Sequence, residues 1–144
     1  WGGVQGIASS AFPMTMLVDH VRVSKRSENF GDVKVTFQVD MKNVNVSGTG
    51  VWISGGSISS ASPGGIQMQP SNSPDLWEAE LTLPPNSNFT FKYRNGYFPN
   101  SWSEGWEVVS GNCTVGQYSD RSVSIGVADT TLPSVCFNMC AECI

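Results

Sequence analysis

The sequence predicts an all-β chain: an antiparallel β-sandwich over residues 33–144, preceded by one strand that belongs to a different sheet. Three observations carry this. Charged residues make up only 14% of the 144, well under the usual quarter, and Gly, Ser, Asn, Thr and Val fill the gap. Apolar and polar residues alternate in short runs at the two-residue period of a strand. Clusters of Gly, Pro and Asn separate those runs, as turns do. No segment has a convincing helical period, and there is no internal repeat.

The first strand-like run covers residues 15–23. Met16, Val18, His20 and Arg22 would face one way, and Leu17, Asp19, Val21 and Val23 the other. A lone strand buries nothing by itself, so its sheet is expected outside this chain. Residues 25–32 are polar and charged with one Gly, the composition of a linker. This divides the chain into residues 1–24, a linker over 25–32, and a module over 33–144.

Within the module, residues 33–40 alternate cleanly, with Val33, Val35, Phe37 and Val39 inward. Residues 50–54 form a second strand, with Val51 and Ile53 on one face and Trp52 on the other. A third strand over 76–83 ends at Pro84-Pro85-Asn86, a firm turn signal. A fourth covers 88–94, with Phe89, Phe91 and Tyr93 on one face and Lys92 toward solvent. Asn95-Gly96 closes it with favoured turn chemistry. Residues 106–109 read as a fifth strand, and 121–127 as a sixth with Val123, Ile125 and Val127 inward. Residues 134–137 read as an edge strand tied down by cysteines, and 48–50 and 55–65 as loops.

The 40% of hydrophobic residues suffices for a real core. The net charge is −4 and the eight Lys and Arg are scattered, whereas a polyanion needs a concentrated basic face. Nucleic acid is therefore not an expected partner, and a neutral ligand fits better. No apolar run is long enough to cross a bilayer, so no membrane partner is expected. The chain opens on Trp1-Gly2-Gly3 and no export signal is read there, so its natural start, with any such signal, is expected upstream. The four cysteines, Cys113, Cys136, Cys140 and Cys143, suggest disulfides in an oxidising, extracellular setting. Three pairings are open. A four-thiolate zinc site is the competing reading, since Cys140-x-x-Cys143 has ligand spacing, but a second such pair is missing. Asn45-Val46-Ser47, Asn88-Phe89-Thr90 and Asn112-Cys113-Thr114 fit the glycosylation acceptor pattern and agree with secretion.

The segment Tyr97-Phe98-Pro99-Asn100-Ser101-Trp102-Ser103-Glu104-Gly105-Trp106-Glu107 is the strongest functional candidate. A pyranose ring has an apolar C–H face and a rim of hydroxyls. Binding one in water takes a flat aromatic for the face and polar side chains for the rim, and this segment supplies both. The competing reading is that Trp102 and Trp106 plug the end of the sandwich. Trp77, at the start of a strand, reads as core. Trp52 is exposed if Val51 and Ile53 are core, and then offers a platform. Lys92 reads first as a solvated side chain and second as a ligand-binding one. Glycoside hydrolysis needs two carboxylates set across a cleft. Glu104 and Glu107 lie three apart on an expected loop, Glu78 and Glu80 share a strand face, and His20 is the only histidine. No catalytic residue, cofactor or metal is assigned; calcium has no dense Asp/Asn cluster to hold it.

The opening Trp1-Gly2-Gly3-Val4-Gln5-Gly6-Ile7, followed by Phe12-Pro13-Met14-Thr15-Met16-Leu17-Val18-Asp19-His20-Val21-Arg22-Val23, resembles the C-terminal end of glycoside hydrolase family 16 enzymes. Many of these are laminarinases, which cut β-1,3-glucan. The family usually ends in Phe-Pro-x-Thr-Met-x-Val-Asp-Tyr-Val-Arg-Val, and His20 stands here for the common Tyr. Its catalytic Glu-x-Asp-x-x-Glu motif does not occur in this chain. The resemblance implies that residues 1–24 are the orphan strand of a jelly-roll catalytic domain. The remainder resembles a β-sandwich module often appended to such enzymes, on Val35-Thr36-Phe37-Gln38-Val39-Asp40-Met41, Gly50-Val51-Trp52-Ile53-Ser54-Gly55-Gly56, Arg121-Ser122-Val123 and Val135-Cys136-Phe137-x-x-Cys140. Asp75-Leu76-Trp77-Glu78-Ala79-Glu80-Leu81-Thr82-Leu83-Pro84 and Phe89-Thr90-Phe91-Lys92-Tyr93 are also similar to starch-binding modules of carbohydrate-binding family 20. In those modules a strand Lys and the Trp of a Trp-Glu pair hold sugar, at positions matching Lys92, Trp106 and Glu107. They carry another Trp after the Gly of the second strand, where this chain has no aromatic over 57–63.

The implied fold is an immunoglobulin-like or starch-binding-like antiparallel β-sandwich. The implied function is non-catalytic: the module tethers a secreted β-1,3-glucanase, its upstream catalytic domain in cis, to polysaccharide. Trp106, Trp102, Tyr97, Lys92, Glu107 and Trp52 are the expected carbohydrate-binding residues. A structural or surface-anchoring interaction module of the same enzyme is the alternative, and a third is that the function is the glucan hydrolase activity of the whole parent enzyme.

Overall fold

The computed structural model describes residues 30–144, whose compact unit runs Asp32–Ile144. The expected strand over 15–23 and most of the linker lie outside the described residues. What is described is all-β: ten strands form two five-stranded sheets.

The first sheet is built on β1 (Val33–Asp40) and β5 (Leu76–Leu83), antiparallel over their full length. Short β4 (Gln69–Pro70) continues it beyond β5. On the other side of β1 lie β9 (Thr130–Thr131) and β10 (Val135–Cys136), both parallel to it. The second sheet runs β3 (Ile66–Gln67), β2 (Val51–Ser54), β6 (Ser87–Asn95), β8 (Asp120–Ile125) and β7 (Thr114–Val115), all antiparallel. The chain passes from one sheet to the other at Met68, which is fully buried and donates its N–H to the Val51 carbonyl at 2.9 Å. Strands that switch sheets at a bend are a recurring way to close a sandwich corner.

Alternation puts Val33, Val35, Phe37 and Val39 inside, facing Val51, Ile53, Phe91 and Tyr93. Phe37 meets Phe91 edge-on, with ring centroids 5.1 Å apart, a favoured aromatic geometry. Within the first sheet Phe37 stands opposite Ala79, so a large side chain fills the space a small one leaves. Tyr93 is the polar link across the core: its hydroxyl donates to the Gln38 carbonyl at 3.2 Å. Burial pushes its pKa well above the ordinary tyrosine value, against a smaller opposing pull from Arg121.

Three sequence expectations need correction. The expected strand over 106–109 shrinks to a single bridge between Trp106 and Arg94. The sixth strand stops at Ile125, and Val127 lies exposed beyond Gly126 instead of pointing inward. The two-residue strands β3, β4, β7 and β9 fall where loops or no element at all were expected.

The cysteines form two disulfides, Cys113–Cys140 and Cys136–Cys143. All four sulfurs are thereby used, which removes the thiolate-zinc reading. Disulfides of this kind suit an oxidising environment. No helix among the described residues is long and apolar enough to cross a membrane.

Candidate functional site

Even-numbered residues of β6 and β2 point away from the core, so the outer face of the second sheet carries Lys92, Arg94, Trp52 and Ser54. The segment after β6 folds back over this face. Asn95 donates its N–H to the Gly105 carbonyl at 2.7 Å, and Glu107 donates to the Tyr93 carbonyl at 3.2 Å. Gly105 sits at φ +79, where a Cβ would collide with the Asn95 carbonyl and the Phe98 ring, so this close return needs glycine.

Covered in this way, Arg94 is fully buried. Its Nε donates to the Glu104 carbonyl at 2.7 Å, Nη1 to Pro63 at 2.7 Å and Phe98 at 3.1 Å, and Nη2 to Ser101 at 2.9 Å. Its guanidinium carbon lies 4.0 Å from the Trp106 ring centroid and 4.9 Å from that of Phe98. Burial lowers its pKa from the ordinary guanidinium value, with nearby Glu104 acting the other way. One cation thus staples the loop before β3 and the loop over 98–104 to the sheet, and backs Trp106 through a cation–π contact.

Trp106 stacks against Trp102, with centroids 5.9 Å apart and planes within 12°. The Trp106 Nε1 donates to the Trp102 carbonyl at 2.9 Å. Trp102 is 56% exposed. The competing reading, an end plug, fails for Trp102. Both indoles line an open groove of about 790 Å³, together with Gly55, Gly56, Lys92 and Val108. Gly55, at φ +70, lies against the far edge of Trp106, 3.4 Å from where a Cβ would stand. The groove's remaining wall is the hairpin between β7 and β8, with Gln117, Tyr118, Ser119 and Asp120. Lys92 Nζ donates to the Glu107 carbonyl at 3.4 Å. Asp120 has its carboxyl pKa raised by burial, partly offset by Lys92.

Glu107 corrects an expectation. Trp106 faces out, so its neighbour faces in, and the Glu107 side chain is fully buried. Its Oε1 accepts from Arg121 Nε at 2.8 Å and from the Tyr93 N–H at 2.9 Å, while Oε2 accepts from Arg121 Nη2 at 2.7 Å. The carboxylate is thus spent on internal bonds, although Glu107 still lines the groove. Arg121 Nη2 also donates to the Met139 carbonyl at 2.7 Å, tying the C-terminal segment to the same pair.

The structure divides the other expected residues. Trp106, Trp102 and Lys92 share the groove. Tyr97 and Trp52 do not line it but stack on each other, with centroids 4.4 Å apart. Trp52 Nε1 donates to the Thr49 carbonyl at 2.9 Å, and the Tyr97 N–H to Thr49 Oγ1 at 2.9 Å. Sequence reasoning missed Tyr118, 71% exposed on its hairpin. A lone aromatic between Gly116 and Ser119 was the available signal. It also missed Arg94, whose burial depends on a loop that alternation does not describe.

No family model matches the chain, and no curated protein does. Among the described residues no group of His, Cys, Asp and Glu is placed to hold a metal ion. The open groove presents two parallel indoles, one phenol and a few uncharged or singly charged polar groups. That combination suits a ligand with apolar faces and hydroxyl edges.

Proposed function

We propose that residues 33–144 form a non-catalytic carbohydrate-binding module that holds a β-glucan chain in the groove of Trp102, Trp106 and Lys92. The observation that carries this is the pair of parallel indoles, one of them mostly exposed, lining an open groove. Exposed aromatics grouped with polar side chains mark binding surfaces more often than idle ones. The exposed Trp102 indole takes the C–H face of a pyranose, Trp106 stacks behind it and lines the groove beside it, and Lys92, Gln117 and Asp120 take the hydroxyls.

The choice of β-1,3-glucan, and of a secreted glucanase as the parent, rests on the resemblance of residues 1–23 to laminarinase ends. The two disulfides agree with work outside the cell. The gain from such a module is effective concentration: a weak contact on the same polymer makes the catalytic encounter intramolecular. The test is affinity electrophoresis through gels containing laminarin. The parent chain is retarded, and the Trp102→Ala and Trp106→Ala variants are retarded less; Trp102→Ala melts at nearly the parent temperature, while Trp106→Ala, which uncovers Arg94, melts lower but keeps the parent far-ultraviolet circular dichroism. Equal mobility of parent and variants sinks the groove. An unretarded parent favours the alternative, a structural or anchoring module. Reducing-sugar release from laminarin by the chain alone is expected to be nil.

A further inference from the structure

We infer that the hairpin between β7 and β8 is the specificity wall of the groove, and that Tyr118 at its tip selects single, solvated glucan chains over the packed surface of a particle. This deepens the carbohydrate reading and rests on it. The hairpin reverses through Gly116 at φ +75 and Ser119 at φ +55, with Ser119 donating to the Gly116 carbonyl at 3.3 Å. So tight a turn has little freedom left. Its base is fixed twice, by the pairing of Thr114 with Arg121 and by the disulfide from Cys113 to Cys140. A rigid stem therefore holds out an aromatic ring that is 71% exposed. Neither the Tyr118 hydroxyl nor the Gln117 amide nor the Asp120 carboxylate has a hydrogen-bond partner among the described residues, yet all three residues line the groove. The indoles come from residues 102–106, a separate segment, so the groove has aromatic surface on two walls.

The consequence follows from the shape of the ligand. A glucan chain free in water exposes both faces and both edges of each ring, and a walled groove can close on all of them. A chain packed in a particle exposes one side only, and a wall standing beside the indoles then gains nothing. Tyr118 contributes to the first kind of binding and not to the second.

The experiment compares two probes on the full chain: a soluble β-1,3-linked glucose hexamer by titration calorimetry, and particulate insoluble β-1,3-glucan by pull-down. Tyr118→Ala is expected to weaken hexamer binding about tenfold, the size of one lost aromatic contact, with retention on particles nearly unchanged. Tyr118→Phe keeps the ring and restores most of the hexamer affinity. Exposure of the side chain means that both variants keep the parent melting temperature, which circular dichroism checks. If Tyr118→Ala binds both probes like the parent, or loses both equally, the specificity wall is overturned while the groove reading stands. If the Trp102→Ala/Trp106→Ala double variant binds both probes like the parent, the groove reading falls and the wall with it.

Discussion

The loop layer behind Trp106 and the end of the core beside it each contain a buried arginine, and the two are accommodated differently. Arg121, inside, faces a carboxylate: two short bonds to Glu107, plus the Met139 carbonyl and the Tyr93 ring at 5.3 Å. Arg94, under the loop, has four carbonyls and two aromatic rings, while Glu104 spends its carboxylate on Ser101 Oγ at 2.6 Å. The difference teaches what each region is for. An ion pair out of water is costly to break because either partner alone is a stranded charge. It binds strand β8, strand β6 and the C-terminal segment into one unit. Carbonyl dipoles spread the same charge over loops, so Arg94 shapes the surface that carries Trp106 and leaves the core untouched.

That contrast can be broken in graded steps. The largest effect is expected from Glu107→Ala, which leaves Arg121 without its carboxylate and Tyr93 N–H without an acceptor. Removing one partner of a buried pair costs about 3–5 kcal/mol, and urea unfolding should show the whole module shift. Next is loss of the Cys113–Cys140 bridge in a Cys113→Ser/Cys140→Ser variant. Chain entropy over a separation of 27 residues gives about 3–4 kcal/mol, again seen in urea. Arg94→Met should cost less, about 1–3 kcal/mol in all, because the Pro63 carbonyl keeps Ser54 Oγ, the Phe98 carbonyl keeps the Ser101 N–H, and Ser101 and Glu104 lie where water can reach. Near-ultraviolet circular dichroism of the tryptophans and laminarin retention should fall more than stability does. A global collapse on Arg94→Met, equal to that of Glu107→Ala, would erase the distinction.

The smallest effect concerns Asp120. Burial raises its carboxyl pKa in the folded module above the unfolded value, and Lys92 opposes this. The charged form is therefore disfavoured by folding at neutral pH, and the penalty fades as pH falls through the folded value toward the unfolded one. Asp120→Asn should melt slightly above the parent at pH 7, and the gap should close on acidification. A gap that widens in acid contradicts the sign.

The long strands were legible because one face of each is buried along its length. β1 and β5 begin and end where alternation says they do. Two-residue strands such as β7 and β9 have no period to read, and Val127 was lost because Gly126 ends the strand first. The two stacked tryptophans could be picked from composition. Glu107 was misjudged because its pairing with Trp106 drew attention to ligands. Yet Arg121 shares a face with Val123 and Ile125, and an inward arginine demands an anion; that demand was readable. Arg94 was not, since its enclosure comes from a returning loop held by backbone bonds.

The parallel placement of β9 and β10 beside β1 has a consequence for how the module forms. The Lys34 N–H donates to Asp129 Oδ1, across a separation of 95 residues, and Cys136 stands beside Asp40 in the same ladder. Such distant pairing demands loop closure before it rewards it, which slows folding. On a ribosome β1 emerges early and waits with one edge bare until residues 130–136 have been made. Translation stalled before that point should yield a protease-sensitive nascent chain, and release of the last strands should protect the whole module at once.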